Sequence, residues 1–168
     1  MKQIIKFRKA NTDDLRIYFE WLNDPVDRSL SFNTNKVDFK THKKWFLNKI
    51  NDRNSLLLVF LYLNNPIGEV RIEKEDLNQS RISISISKEN RGKGFASDML
   101  IKASKYFHSN NPKFIINAFI KRSNSYSIKS FKKAGYEYEK TIMYEGHECL
   151  KYILINENGL FENNSNTI

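Results

Sequence analysis

Residues 81 to 108 constrain this chain most. Arg81 to Ser87 alternates strictly, with Ile82, Ile84 and Ile86 on one side and Ser83, Ser85 and Ser87 on the other. Period two with one apolar and one small polar face is a strand. Four residues later comes Arg91-Gly92-Lys93-Gly94-Phe95-Ala96, and then a helical pattern to His108. Two glycines let the backbone turn tightly with its N–H groups facing one way. The helix that follows adds unpaired N–H groups and the positive end of its dipole. Strand, glycine loop and helix together make a cradle for a phosphate or pyrophosphate. Arg91 and Lys93 add positive charge beside it. The loop lacks the Gly-Lys-Ser/Thr ending of a Walker loop and the third glycine of a dinucleotide fingerprint.

The rest of the chain alternates strands and helices. Ile4 to Arg8 reads as a strand. Asn11 or Thr12 caps a helix carrying Leu15, Tyr18, Phe19 and Leu22, which Asn23-Asp24-Pro25 stops. A polar stretch from Asp27 to Asp38 follows. Thr41 is the expected cap of a second helix with His42, Trp45, Phe46 and Ile50. Ser55 to Leu63 and Ile67 to Glu73 read as a strand pair about Asn64-Asn65-Pro66. Phe114 to Ile120 is a further strand. Asn124 to Ala134 is a helix ended by Gly135, and Tyr136 to Tyr144 with Glu148 to Ile155 forms a closing hairpin. The expectation is a mixed α/β domain over residues 1–155 around one sheet of about seven strands, with about four helices. The Asn-rich tail, 156–168, is expected to be frayed.

Composition narrows the function. The 168 residues carry 28 basic and 19 acidic side chains, a net charge of +9. Such a surplus suits a polyanionic partner: nucleic acid, an anionic membrane or a phosphorylated small molecule. The basic residues are dispersed, and the sequence has no helix-turn-helix, RNA-recognition or zinc-finger pattern. No apolar run approaches the roughly 20 residues needed to span a bilayer. Cys149 is the one cysteine, so no internal disulfide is available. With three scattered histidines no metal site is expected. These features read as a cytoplasmic protein without nucleic-acid binding or membrane insertion.

A second motif follows the first. Asn124, Ser127, Ile128, Phe131, Gly135 and Tyr136 span the helix after the strand ending at Ile120. Arg91, Gly94 and Ala96 match Arg/Gln-x-x-Gly-x-Gly/Ala, and the later residues match Asn-x-x-Ala/Ser-Ile-x-x-Tyr/Phe-x-x-x-Gly-Phe. Together they make the chain resemble the GNAT superfamily of acetyl-CoA-dependent N-acetyltransferases. The resemblance implies a GNAT fold in which strands four and five splay apart. It implies that acetyl-CoA pyrophosphate rests on Arg91, Gly92, Lys93, Gly94, Phe95 and Ala96. The pantetheine arm would run along Ile84, Ser85 and Ile86, facing Asn124 and Phe131. The first fifty residues, with Trp21-Leu22-Asn23-Asp24-Pro25, Arg28, Ser31-Phe32 and His42-x-x-Trp45-Phe46, are similar to a branch that acetylates nucleotide-linked amino sugars on the way to pseudaminic acid. That likeness implies a UDP- or dTDP-linked amino-deoxy sugar as acceptor, with Arg28, Ser31, Phe32 and Trp45 as its binding residues. Other acceptors on the same fold are a protein N-terminus or lysine, a polyamine or an antibiotic. A homodimer fits the same frame.

Two family positions depart. The usual strand-four Glu is Arg81, and the usual Tyr acid of the later helix is Phe131. An ammonium must lose a proton before it attacks a thioester, so a base is needed. His42 and Glu69 are the candidates, with Glu73 behind them. His42 titrates in the useful range and shares a helix face with Trp45. Glu69 follows Gly68 on the third strand. The missing residues also leave open a GNAT fold that binds acyl-CoA without turnover. Cys149 reads as a packing residue, and His108 and His147 as surface residues.

Overall fold

A computed structural model describes residues 4–156. The strands and helices expected from the pattern form one seven-stranded sheet flanked on both faces, and the tail expected to be frayed lies outside the described residues from 157 on. The strands are β1 Ile5–Lys9, β2 Ser55–Tyr62, β3 Asn65–Lys74, β4 Gln79–Ile86, β5 Ile115–Lys121, β6 Glu137–Tyr144 and β7 His147–Leu154. Their spatial order is β1-β2-β3-β4-β5-β7-β6. Every neighbouring pair is antiparallel except β4 and β5. That parallel pair meets only at Gln79, Ser80 and Arg81 against Ile115, Ile116 and Asn117. Beyond it the two strands part, leaving Ile82–Ile86 and Ala118–Lys121 without each other as partners.

The helices are α1 Leu15–Leu22, α2 Pro25–Leu30, α3 Phe39–Asn51, α4 Phe95–Asn110 and α5 Ser125–Lys133. A short 3-10 turn, Thr12–Asp14, leads into α1 with Asn11 as its cap. The fifth helix, α2, occupies part of the stretch expected to be irregular. Asp24 caps it by accepting from the N–H groups of Val26 and Asp27, and Pro25 fills its first turn. The cap of α3 is Asp38 rather than Thr41, whose N–H and hydroxyl both donate to the Asp38 carboxylate.

Alternation decides which face each helix covers. Val70 and Ile72 of β3, Ile82 of β4, and Ile116, Ala118 and Ile120 of β5 pack against Phe95, Met99, Leu100, Ala103 and Phe107 of α4 and Phe131 of α5. Burying each large apolar side chain contributes about 1.5–3 kcal/mol. The opposite face is smaller. Leu57 and Val59 of β2 meet Tyr18 and Trp21 of α1 and Phe46 of α3. On β3 and β4 that second face carries Glu69, Arg71, Ser83 and Ser85, because a period of two sends them away from α4. Close approach at one point requires glycine: a Cβ on Gly68 would lie 2.4 Å from the Ser85 carbonyl oxygen.

Candidate active site

The parting of β4 and β5 opens a cleft of about 810 Å³ that runs from the start of α4 to the second sheet face. Its walls are the diverging strands, α2, the N-terminus of α4 and one side of α5. The loop at 91–96 forms its donor end. Gly92 and Gly94 hold φ of +74° and +83°, the left-handed region that side chains with a Cβ seldom adopt. No heavy atom lies within 4 Å of where a Cβ would project from either glycine. Gly94 is also the cap residue of α4 and supplies no side-chain acceptor to its first turn. Free helix N–H groups beside an open glycine surface fit a pyrophosphate. Phe95 is buried against Tyr62 and anchors the loop from below.

The Arg91 side chain is engaged elsewhere. Its Nε donates to the Ile86 carbonyl at 3.0 Å, and its Nη2 donates to Asp24 at 2.8 Å and Asp27 at 2.9 Å. The guanidinium thus ties the loop and the end of β4 to α2. Burial opposes the charge on Asp24, but Arg91 and the Asp27 and Val26 N–H groups hold its carboxyl below the usual range. Lys93 is exposed, outside the cleft lining, with its Nζ 3.4 Å from Asn90.

Along the walls, Ile84, Ser85, Ile86, Asn124 and Phe131 all line the cleft, as the family likeness implied. Asn124 also caps α5, accepting from the Ser127 N–H at 3.1 Å. Phe131 is buried edge-to-face with Tyr136, so this wall presents a ring with no hydroxyl. Tyr136 donates no proton route into the cleft, since its hydroxyl pairs with Ser104 in the core.

The acceptor candidates divide. Ser31 lines the cleft, where its carbonyl accepts from Lys121 Nζ at 2.6 Å. Phe32 packs edge-on against Tyr144, which stacks on Phe119 with centroids 4.4 Å apart and planes at 2°. Arg28 braces the segment between α2 and α3, donating to the Asn35 carbonyl and the Ser31 hydroxyl. Trp45 lies away from the cleft, in the α1–α3 core, with the Arg71 guanidinium 5.0 Å above its ring.

The base candidates divide too. His42 is 1% exposed and lies outside the cleft lining. Its ring packs among Phe19, Trp45 and Phe46, and its Nε2 is 3.3 Å from the Leu15 carbonyl. Burial pushes its pKa below the usual imidazole value. A helix face shared with Trp45 points inward here, because α3 is amphipathic and presents that face to α1. Glu69 lies opposite Ser85 in the β3–β4 ladder, on the same sheet face as Arg71. Burial pushes its carboxyl up to about 7, partly offset by Arg71. Its Oε2 has no hydrogen-bond partner. Glu69 stands behind the cleft wall rather than in it. Glu73 is tied to Lys49 at 2.7 Å and Arg71 at 3.0 Å. His108 is buried, contrary to its expected surface place, with Nε2 2.9 Å from the Phe114 carbonyl.

Sequence reasoning passed over Asp27, Lys121, Phe119 and Tyr144. Asp27 was legible in part: a capped Asp-Pro start places the residue three after Asp24 in the first turn of a helix. The other three come together only through the β5–β7–β6 ladder. Arg81, at the last paired position of β4, donates to the Tyr144 hydroxyl and so joins that ladder to the parting point.

Among the described residues no group of three or more His, Cys, Asp or Glu is placed to hold a metal ion. No helix there is long and apolar enough to cross a membrane. In overall fold the chain is similar to a spermidine N-acetyltransferase from Vibrio cholerae solved with CoA and spermine. That pair has a TM-score of 0.82 and 19% identity, over 93% of this chain and 98% of the other. It is also similar to an aminoglycoside acetyltransferase solved with coenzyme A and kanamycin, with a TM-score of 0.77 and 17% identity over 94% and 97% of the two chains. None of the curated proteins matches the chain. The family description "Acetyltransferase (GNAT) domain" matches residues 5–137. With that match across most of its length, the cradle before α4 and the parted parallel strands, the chain belongs to the GNAT acetyltransferase family.

Proposed function

We propose that this enzyme transfers the acetyl group of acetyl-CoA to the primary amine of a small molecule, by direct attack within a ternary complex. The observation that carries this reading is the continuity of the cleft. One opening joins the glycine cradle at 91–96 to Asp27, Ser31, Ser85, Phe119 and Lys121 on the other sheet face. Donor and acceptor can therefore meet where β4 and β5 part. The cradle backbone binds the pyrophosphate, and the free edge of β4 at Ile84–Ile86 offers N–H and C=O groups to the pantetheine amides. The walls exclude water from the thioester, which strengthens every polar contact there. Glu69, raised toward neutrality by burial behind the cleft wall, serves as a store for the ammonium proton. His42 has a packing role.

The acceptor is a nucleotide-linked amino-deoxy sugar. Supporting this, the lining carries Arg91, Lys121, Lys129 and Lys133 against Asp27, a surplus suited to phosphates. The Phe32, Phe119 and Tyr144 rings, close to Lys121 (5.9 Å from the Phe32 centroid), offer flat surfaces for a sugar or base. A second reading, a polyamine or aminoglycoside, is favoured by the Asp27 and Glu69 carboxylates and by the spermine and kanamycin held by the fold relatives.

The test is thiol release from acetyl-CoA against UDP- and dTDP-linked 4-amino and 3-amino sugars, spermidine, kanamycin and peptide N-termini. Release confined to one nucleotide sugar is the expected result. Release confined to spermidine or kanamycin would transfer the assignment to the second reading. Silence across the panel with CoA bound would overturn catalysis on these amines.

A further inference from the structure

Two carboxylates, Asp27 and Glu69, lie toward the acceptor side of β4, and the activity as described uses only one of them. Asp27 comes from α2 and lines the cleft. Its Oδ1 accepts from Arg91 at 2.9 Å, and its Oδ2 is buried with no partner of hydrogen-bond geometry. Glu69 comes from β3, and its Oε2 is likewise buried without a partner. Ser85 stands opposite Glu69 in the ladder, and its side chain favours the ionised form of Asp27. Unsatisfied buried carboxylate oxygens are costly, and such oxygens are held ready for a cation or a proton.

Resting on the acetyltransfer reading above, we propose that Asp27 is the catalytic residue that receives the acceptor's ammonium, and that Glu69 is a positioning residue sharing the proton with it. Asp27 is placed for this and Glu69 is not, because only Asp27 borders the cleft. The acceptor enters as R–NH3⁺ and gives one proton to the Asp27–Glu69 pair. The freed nitrogen lone pair forms the C–N bond at the thioester carbonyl. The C–S bond breaks with its electrons on sulfur, and a second proton from nitrogen neutralises the thiolate. The products are R–NH–acetyl, CoA thiol and one proton, which the carboxylate pair releases to water.

The pair is set by every element around it. Arg91 holds Asp27 from the donor loop, with Asp24 and Arg28 beside it on α2. Arg71 and Glu73 flank Glu69 on β3, and the Tyr18 hydroxyl of α1 lies near it. Burial raises both carboxyls, and the Asp27 charge raises Glu69 further. Like charges that raise one another titrate as a pair rather than singly. Arg91 therefore joins the pyrophosphate cradle to the proton acceptor by one guanidinium.

The test follows both carboxyl groups by ¹³C NMR in the full chain, labelled at Asp and Glu, with Asp27→Asn and Glu69→Gln to assign them. The expected result is that each substitution shifts the titration of the remaining carboxyl downward, and that Ser85→Ala raises that of Asp27. Two carboxyls that titrate in the usual range, each indifferent to the other, would overturn the pair whether or not any amine is acetylated. Thiol release with the best amine of the panel supplies the second arm. Asp27→Asn should lower kcat about 100-fold and CoA affinity by only a few-fold. Asp24→Asn loosens the same Arg91 without removing the proton acceptor, and should lower kcat only a few-fold. A kcat left intact in Asp27→Asn, with only CoA affinity lost, would reduce Asp27 to an anchor for Arg91. If the wild type acetylates no amine in the panel, the reading of the activity fails by itself while the carboxyl titrations still decide the pair.

Discussion

The donor end and the acceptor end of the cleft are built from different materials. The donor end is mostly backbone: glycines at positive φ, uncapped N–H groups at the start of α4, and a β4 edge left free by the parting of the sheet. The acceptor end is mostly side chains from distant segments, brought together by α2, β3, β5 and β6. A backbone device needs glycine at fixed spacing and tolerates almost anything between. A side-chain device can be assembled from many residue types in many places. One end therefore leaves a mark in the sequence and the other leaves little.

His42→Ala tests the acceptor end first, with the largest expected effect. Removing a buried ring from among Phe19, Trp45 and Phe46 should cost about 2–4 kcal/mol of stability, read by denaturant unfolding. Turnover per folded molecule and CoA affinity should stay at wild-type values. A tenfold fall in kcat with unchanged stability would return His42 to the chemistry.

Arg91→Ala cuts the one guanidinium that spans both ends. Charge-assisted hydrogen bonds of this kind are worth about 1.5–3 kcal/mol each before losses to solvent. A stability loss of about 2 kcal/mol is expected, together with roughly tenfold weaker CoA binding by calorimetry. Unchanged affinity would mean that the cradle stands without its tie to α2.

Glu69→Gln sharpens the comparison through pH. The folded carboxyl is raised from 4.5 to about 7, so the folded state binds more protons than the unfolded one between those values. Stability contributed by the protonated form is complete below the unfolded value and is lost as pH rises through 7. Glu69→Gln should therefore be more stable than wild type at pH 8, by on the order of 3 kcal/mol, and nearly equal to it at pH 4. Parallel pH profiles of Tm for the two proteins would contradict the raised value.

Gly94→Ala is the smallest test and addresses the donor end. A Cβ there meets nothing, so only the left-handed backbone is penalised, by about 1–2 kcal/mol. The expected reading is CoA affinity weakened a few-fold with turnover at saturating CoA unchanged. A fall in kcat instead would tie the cradle to the chemical step.

The strands, α4 and α5 were legible because their signals are local: alternation from Arg81, the glycine pair, the Asn124 cap and Gly135 at φ +89°. The position of α2 was not, although Asp24-Pro25 both stops α1 and starts the next helix. His42 and Trp45 share a face, as spacing implied, but spacing cannot say whether that face looks into a core or a cleft. Phe119 and Tyr144 sit on strands that pair through β7, and no pattern within either segment announces their stacking. Asp27 and Glu69 come from α2 and β3, and no pattern within either segment announces that the charge of one acts on the other.

The three-residue contact between β4 and β5 has a consequence for assembly. β1 to β4 form one antiparallel unit, contiguous over residues 5–86, and β5 to β7 form another over residues 115–154. Strand pairing between the two units is thus confined to one short seam. The two units should zip separately and join late. A ligand lying across the seam would act as their clasp, and two fragments divided between α4 and β5 should reassociate more tightly when CoA is supplied.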